Sequence, residues 1–325
     1  MNKEMQIFSG KRVLVTGGSG FIGTNLIGVL LSCQVEVLNA DIVEPRNKEF
    51  INSYREVNLN NLQLLQDVFQ QFRPHYVIHL AARTDLNGSS IKDYECNTVG
   101  VENLCKLIAE NNHVEKVVFA SSMLVCKAGY LPSNDYDYNP TTVYGESKVV
   151  TEQIIREYSD RLPEYTIVRP TSIWGPWFAE PYLDFFKLVL DGKYVDMGLR
   201  SCTKTYGYVG NSVNQILNIF NLNNTNRRVI YLGDAEPLNI SKWAKAISYY
   251  AGSKKVIPAP FMVLKLGALL GDLLKLVNVK FPLTSFRLKN MTTNNIIPAT
   301  FLVGVDRFKQ IDLDTGIRET LKLLN

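Results

Sequence analysis

The stretch VLVTGGSGFIG, residues 13–23, constrains this chain more than any other segment of its 325 residues. A short Val-rich apolar run at 12–16 reads as a buried parallel strand. It leads directly into a glycine loop and then into a helical run at 21–31. Gly18, Gly20 and Gly23 fit G-x-G-x-x-G, while Gly17, Gly20 and Gly23 fit the looser T-G-x-x-G-x-x-G. Glycines there let the backbone turn tightly and approach a pyrophosphate, whose charge a helix N-terminus favours. A lone match carries little; the strand-loop-helix context turns it into a statement about fold.

The following residues continue the alternation that such a loop requires. A strand is expected at 35–39, and 61–72 is helical in period, with apolar residues at 62, 65, 68, 69 and 72. YVIHL (76–80) and KVVFA (116–120) read as strands, and between them Val101, Leu104, Cys105 and Ile108 follow i, i+3, i+4, i+7. A helix over 142–158 and a strand YTIVRP at 165–170 complete the series. This pattern predicts an α/β fold, a Rossmann-type doubly wound parallel sheet over 1–170. After Pro170 the pattern loosens, with strands expected near 205–209 and 229–232 and helices near 211–221, 239–251, 260–278 and 314–324. We expect residues 171–204 and 233–325 to form a smaller, mostly helical C-terminal substrate lobe, with strands in 205–232 partly rejoining the main sheet. Trp174, Trp177, Phe178 and Tyr182 suit packing between the lobes, or stacking on a ligand.

Composition removes several function classes. Net charge is +4 and the tightest basic pairs are Arg227-Arg228 and Lys254-Lys255, too little for a nucleic-acid surface. Three scattered histidines and no C-x-x-C give no metal site, and His79 reads as a packed histidine. Five widely spaced cysteines fit reduced thiols in a cytoplasmic protein, and 1–12 shows no signal-peptide stretch. The longest apolar segment, 259–279, carries Lys265, Asp272 and Lys275 on one stripe, which argues against a transmembrane span. It suits an amphipathic helix, either packed on the protein or lying on a membrane surface.

Three further places carry chemistry. An acid is expected about 20 residues past the glycine loop, at the end of the second strand, and Asp41 stands there in VEVLNADIV. Its carboxylate would accept from a ribose hydroxyl and repel a 2′-phosphate, favouring NAD, with Arg46 nearby to soften the preference; an aspartate opening a turn is the plainer account. In PTTVYGESK, Tyr144 and Lys148 are four apart, so both project from one helix face. A phenol with a pKa near ~10 is a poor base until a neighbouring ammonium lowers it. The pair then suits reversible conversion of a hydroxyl to a ketone. A third group should hold the reacting oxygen, and Ser121 and Ser122 are both available where VVFASS leaves its strand.

These segments, together with VIHLAA (77–82), CNTVGVENL (96–104) and VRPTSIWGP (168–176), resemble the extended short-chain dehydrogenase/reductase family, in its NAD-dependent epimerase/dehydratase branch. The resemblance runs over about 12–232 and more faintly beyond, where 258–291 has some likeness to steroid dehydrogenases. It implies that Gly17, Gly20, Phe21, Ile22 and Gly23 hold the pyrophosphate, Asp41 the adenosine ribose, and Asn58 and Leu59 the adenine side. It implies that Leu80, Ala81, Ala82 and Asn97 wall the cofactor, that Tyr144 is the acid-base residue, that Lys148 binds the nicotinamide ribose, and that Ser122 is the catalytic hydroxyl. Arg83, Ser172 and Lys204 join Ser122 as the implied substrate contacts, Ser172 replacing an asparagine and Lys204 a phosphate-binding arginine. Met123 and Leu124 replace the acidic pair of the dehydratases, which speaks against water loss. The implied function is NAD-dependent epimerisation of a nucleotide sugar by transient oxidation to a ketone. The alternatives are an NAD(P)-dependent dehydrogenase or ketoreductase of a nucleotide sugar or sterol-like alcohol, or a non-catalytic dinucleotide-sensing module. A homodimer through helices near 97–112 and 142–158 is also implied.

Overall fold

The computed structural model describes residues 3–254, 256–276, 279, 281, 283–303 and 310–324. Six strands of the main sheet come from the first half: β1 (Arg12–Thr16), β2 (Glu36–Asp41), β3 (Tyr54–Glu56), β4 (Tyr76–His79), β5 (Lys116–Ala120) and β6 (Glu164–Pro170). The strand Arg228–Leu232 adds beside β6, so the order is β3-β2-β1-β4-β5-β6 and then 228–232, with every pairing parallel. Strand order reverses between β1 and β4. In such sheets the ligand crevice opens there, outside the carboxyl ends of the strands.

Burial explains the near-continuous apolar strands. Every residue of β4 and β5 is buried, because helices cover both faces. Period two splits the side chains: Val13, Val15, Ile78 and Val118 enter one core, and Leu14, Val77, Val117 and Phe119 the other. The first core is covered by α1 (Phe21–Ser32) through Leu26, Ile27 and Leu30. The second is covered by α2 (Leu62–Phe72) through Leu65, Val68 and Phe69, and by α3 (Val99–Glu110) through Val101, Leu104 and Ile108. Asn61 caps α2 by accepting the Leu64 amide, and Arg73 ends it in the left-handed region at φ 49°.

The first core continues without a break into the C-terminal lobe, through Trp174, Phe186, Trp243, Ile317 and Leu321. Trp174 and Trp243 lie 5.1 Å apart at its centre, with Phe178, Tyr182, Phe185 and Tyr206 around them. These aromatics pack among themselves; Trp177 instead stands at φ 69° and only half-buried. Helix Val209–Ile219 packs on α1, and helix Leu313–Leu324 on helix Ile240–Tyr250. The strand expected at 205–209 is Tyr206–Tyr208, and it pairs with Ser172–Trp174 instead of the main sheet.

Some short elements stand outside the series expected from the sequence. Edge strand β3 is the polar triplet Tyr-Arg-Glu; helices Tyr182–Leu190 and Ser285–Thr292 are short. The helix expected at 260–278 is Phe261–Leu276; 277 and 278 lie outside the described residues.

Candidate active site

The glycine loop leaves β1 at the switch point. Gly17 has φ +74°, and a Cβ on it would fall 2.6 Å from the Cα of Ala81, where the chain leaves β4. A Cβ on Gly23 would lie 2.6 Å from the Cα of Gly18, so no larger residue fits either place. Gly20 is less crowded, its nearest neighbour being the Gly17 carbonyl at 3.1 Å. Gly20 also stands at the N-cap of α1, where no side chain caps the helix. The first-turn amides, those of Phe21, Ile22 and Gly23, thus face the crevice with helix-end partial charge and no side-chain acceptor. A glycine cradle and an uncapped helix start fit a dinucleotide pyrophosphate.

Asp41 ends β2 and folds over the loop. Its Oδ2 accepts the Ser19 amide at 3.0 Å and its Oδ1 the Val43 amide at 3.3 Å. Burial raises its pKa, with those amides pulling the other way. Arg46 does not face Asp41 as a free charge: Nε donates to the Ser19 carbonyl at 3.2 Å and Nη1 to the Trp177 carbonyl at 2.9 Å. Asn58 is exposed and spends its side-chain oxygen on the Asn60 amide at 3.0 Å. Leu59 is buried in the core against Gly100. Leu80, Ala81 and Ala82 follow β4 and are half-buried along the crevice.

The catalytic candidates converge at the carboxyl end of β5. Helix α4 (Val143–Glu157) starts at Thr142, whose hydroxyl accepts the Gly145 amide at 3.0 Å. A Cβ on Gly145 would collide with the Leu124 carbonyl, so this glycine lets α4 approach the turn after Ser122. The Ser122 hydroxyl lies near enough to the Tyr144 phenol to pull its pKa down, and it accepts the Leu124 amide at 3.1 Å. Ser121 goes elsewhere: it donates to Glu152 Oε1 at 2.6 Å, inside a buried ion pair that Glu152 makes with Arg169 at 2.8 Å. Burial alone would raise the Glu152 carboxyl, but Arg169 holds its pKa below the ordinary value.

Tyr144, Lys148 and Glu152 form one stripe of α4. Burial pushes the Tyr144 phenol up to about 12, against the downward pull of Ser122. Burial lowers the Lys148 ammonium to about 8, while Glu152 draws it upward. Lys148 Nζ donates to the Ala120 carbonyl at 2.8 Å. The lowering of the phenol by Lys148 expected from spacing does not appear: burial raises the phenol, and the downward pull comes from Ser122. His79 is fully buried, and burial with the nearby Lys148 charge pushes its pKa down to about 3, so it is a neutral packed ring. Its Nδ1 bonds the Thr16 hydroxyl at 2.7 Å, which ties the ends of β1 and β4 together beside Lys148.

Several other candidates already bond neighbouring protein groups. Asn97 is fully buried, accepts the Arg83 amide at 2.9 Å, and donates to the Arg83 carbonyl at 3.0 Å and the Ser147 hydroxyl at 2.9 Å. It therefore pins α4 to the segment after β4. Arg83 is exposed, forms a two-pronged bridge to Asp85 at 2.7 and 3.1 Å, and lies over the Tyr94 ring at 5.1 Å. Ser172 is half-buried near the Tyr182 phenol, whose pKa it pulls down against burial. Lys204 lies in the two-residue strand Thr203–Lys204, half-buried, and burial lowers its pKa. Its ammonium has no hydrogen-bond or ion-pair partner among the described residues. Tyr94 escaped the sequence reading, since nothing marks an aromatic in a short 3-10 turn. Its ring lies 6.1 Å from that of Tyr144 and its hydroxyl donates to the Asp85 carbonyl at 2.8 Å. No cluster able to hold a metal ion occurs among the described residues.

Residues 13–190 match the model of the NAD dependent epimerase/dehydratase family. The chain is 26% identical over 321 residues to an N-acetyl-α-D-glucosaminyl-diphospho-ditrans,octacis-undecaprenol 4-epimerase of Escherichia coli O157:H7, covering 95% of this chain and 94% of that one. It is 26% identical over 261 residues to a putative UDP-glucose 4-epimerase of Methanocaldococcus jannaschii, covering 74% and 82%. Among solved structures, the UDP-glucose 4-epimerase of Thermus thermophilus in complex with NAD superposes with a TM-score of 0.71 at 21% identity, covering 96% of this chain and 98% of that one.

Proposed function

Because the chain belongs to the NAD dependent epimerase/dehydratase family, we propose that it inverts one hydroxyl-bearing carbon of a diphosphate-linked sugar. The observation that carries this reading is the placement of Tyr144 and Lys148 one turn apart on α4, both buried, with Lys148 on the Ala120 carbonyl and Ser122 just beyond it at the carboxyl end of β5. NAD, when bound, supplies the hydride acceptor that becomes the hydride donor. Gly17, Gly20 and the amides of Phe21, Ile22 and Gly23 hold its pyrophosphate, and Asp41 its adenosine ribose. Leu80, Ala81 and Ala82 wall the crevice.

Ser122 holds the sugar hydroxyl by hydrogen bonding. Tyr144 takes that hydroxyl's proton while the carbon is oxidised to a ketone, and returns it when the ketone is reduced on the other face. Lys148, with a pKa of about 8, is mostly charged at neutral pH and supplies the positive charge that favours the phenolate. Water loss needs an acid-base pair after Ser122; Met123 instead packs against Tyr231, Ile297 and Leu302. Lys204 grips the diphosphate, since its ammonium has no protein partner among the described residues. The carrier beyond that diphosphate is a nucleoside, or a polyprenol as in the name of the Escherichia coli relative.

Tyr144→Phe tests the reading. Turnover of a UDP-hexose, followed by NMR, should fall about 10²–10⁴-fold, with NAD affinity by calorimetry unchanged. Turnover equal to the parent's would refute it. Accumulation of reduced nicotinamide in proportion to added sugar would instead mark a net dehydrogenase. The protein works as a homodimer through α3 and α4 in the cytoplasm, where its five free cysteines stay reduced. Light scattering that gives the monomer mass would refute the dimer.

A further inference from the structure

Helix Phe261–Leu276 is apolar on both sides. Its inner side, Leu264, Ala268 and Gly271, packs against Met197, Leu283 and Leu288 of the substrate lobe. Its outer side carries Met262, Leu266, Leu269, Leu270, Leu273 and Leu276, each between 49% and 81% exposed. At 3.6 residues per turn these six fall within an arc of about 120°, opposite the packed side, and no charge lies inside that arc. An exposed apolar arc of six large side chains belongs in contact with something other than water.

The surroundings favour an anionic bilayer surface. Lys265 flanks the arc, Lys275 is exposed on the opposite side of the same helix, and Lys289 is exposed on the next helix. The only carboxylate in helices Phe261–Leu276 and Ser285–Thr292 is Asp272, which accepts the Ser285 amide at 3.1 Å. Sixteen residues extend about 24 Å at 1.5 Å each, short of the ~30 Å hydrocarbon core, so the helix can lie on a membrane but not cross it. No helix among the described residues is long and apolar enough to cross one. A lysine at the margin of a broad apolar arc, with Lys275 and Lys289 exposed nearby, fits a helix held in the headgroup region.

Its place in the fold connects it to the chemistry. Helix Phe261–Leu276 packs on helix Ser285–Thr292. Just beyond, Asn295 bonds the backbone on both sides of Lys204: its amide donates to the Thr203 carbonyl at 3.2 Å, and its carbonyl accepts the Thr205 amide at 3.0 Å. The Asn295 side chain accepts the Gly129 amide at 2.9 Å, from the loop that follows Ser122. The apolar helix is therefore braced to the edge that bears the diphosphate contact.

We propose that helix Phe261–Leu276 docks the enzyme on anionic phospholipid, so that the substrate lobe receives a sugar diphosphate carried on a membrane-embedded polyprenol. This rests on the epimerase reading for the sugar, but the docking does not. The test is flotation of the full chain with vesicles of phosphatidylethanolamine and phosphatidylglycerol. The parent should float, and the Leu266→Glu/Leu270→Glu/Leu273→Glu variant should bind at least about tenfold less. The variant should keep its NAD affinity and its turnover of a soluble UDP-hexose, while losing at least about tenfold on vesicle-embedded polyprenyl-diphospho-sugar. Parent protein left behind by the vesicles would overturn the docking, as would parent dimers that become monomers in the variant, since a second copy then covers the face. Flotation without turnover of any sugar would sink the epimerase reading alone; turnover without flotation would sink the docking alone.

Discussion

Ser121 and Ser122 are adjacent and chemically identical, yet the structure sends them to opposite jobs. That makes a paired substitution informative. Ser122→Ala removes the hydroxyl that pulls the Tyr144 pKa down and the acceptor for the Leu124 amide. A hydrogen bond from that hydroxyl to the ionised phenol would be worth about 1.5–3 kcal/mol. Turnover should therefore fall about 10–150-fold, with stability down by only about 1 kcal/mol for the lost turn bond. Ser121→Ala removes a 2.6 Å bond to the buried Glu152 carboxylate, which keeps Arg169. It should cost about 1.5–3 kcal/mol of stability and leave turnover within about threefold. Urea unfolding and epimerisation of a UDP-hexose, measured on both variants, read the two effects separately. Equal losses of turnover, or the larger stability loss in Ser122→Ala, would show that the two hydroxyls are not divided in this way.

Other outcomes follow from the same geometry. Lys148 has a pKa of about 8, so raising the pH above that value neutralises the cation that favours the Tyr144 phenolate. The turnover profile of the free enzyme should show a falling alkaline limb near there, and a flat profile to pH ~10, an ordinary lysine's range, would count against it. Gly17→Ala places a methyl group against Ala81 at φ +74°. NAD affinity by calorimetry should fall at least about tenfold from strain and clash, and unchanged affinity would remove Gly17 from the cradle. Lys204→Ala should raise KM about tenfold or more with kcat preserved, as for loss of a charge-assisted bond to phosphate. A kcat effect at constant KM would move Lys204 out of the binding role.

Local pattern was enough for the parts of this chain whose physics is local. The Val-rich run before Gly17 shows its parallel strand because both faces are covered. The period of Leu65, Val68 and Phe69 shows a helix because one side is buried. The spacing of Tyr144 and Lys148 puts both on one face whatever surrounds the helix. Gly17 and Gly23 announce a close approach that only glycine permits. Contacts between distant segments decided the rest. Asn97 binds Arg83 and Ser147, fourteen and fifty residues away, so its use as a brace for α4 left no mark in its own neighbourhood. The phenol of Tyr144 is governed by burial from elements that meet it only in the folded chain, and so its pKa rises where spacing alone pointed down. Residues 261–276 read as one apolar helix, but only the packing of Gly271 and Leu264 on the lobe reveals which half of that helix still faces water. Hydrophobic period reports that a side chain is buried or could be; which partner buries it depends on chain segments that period cannot see.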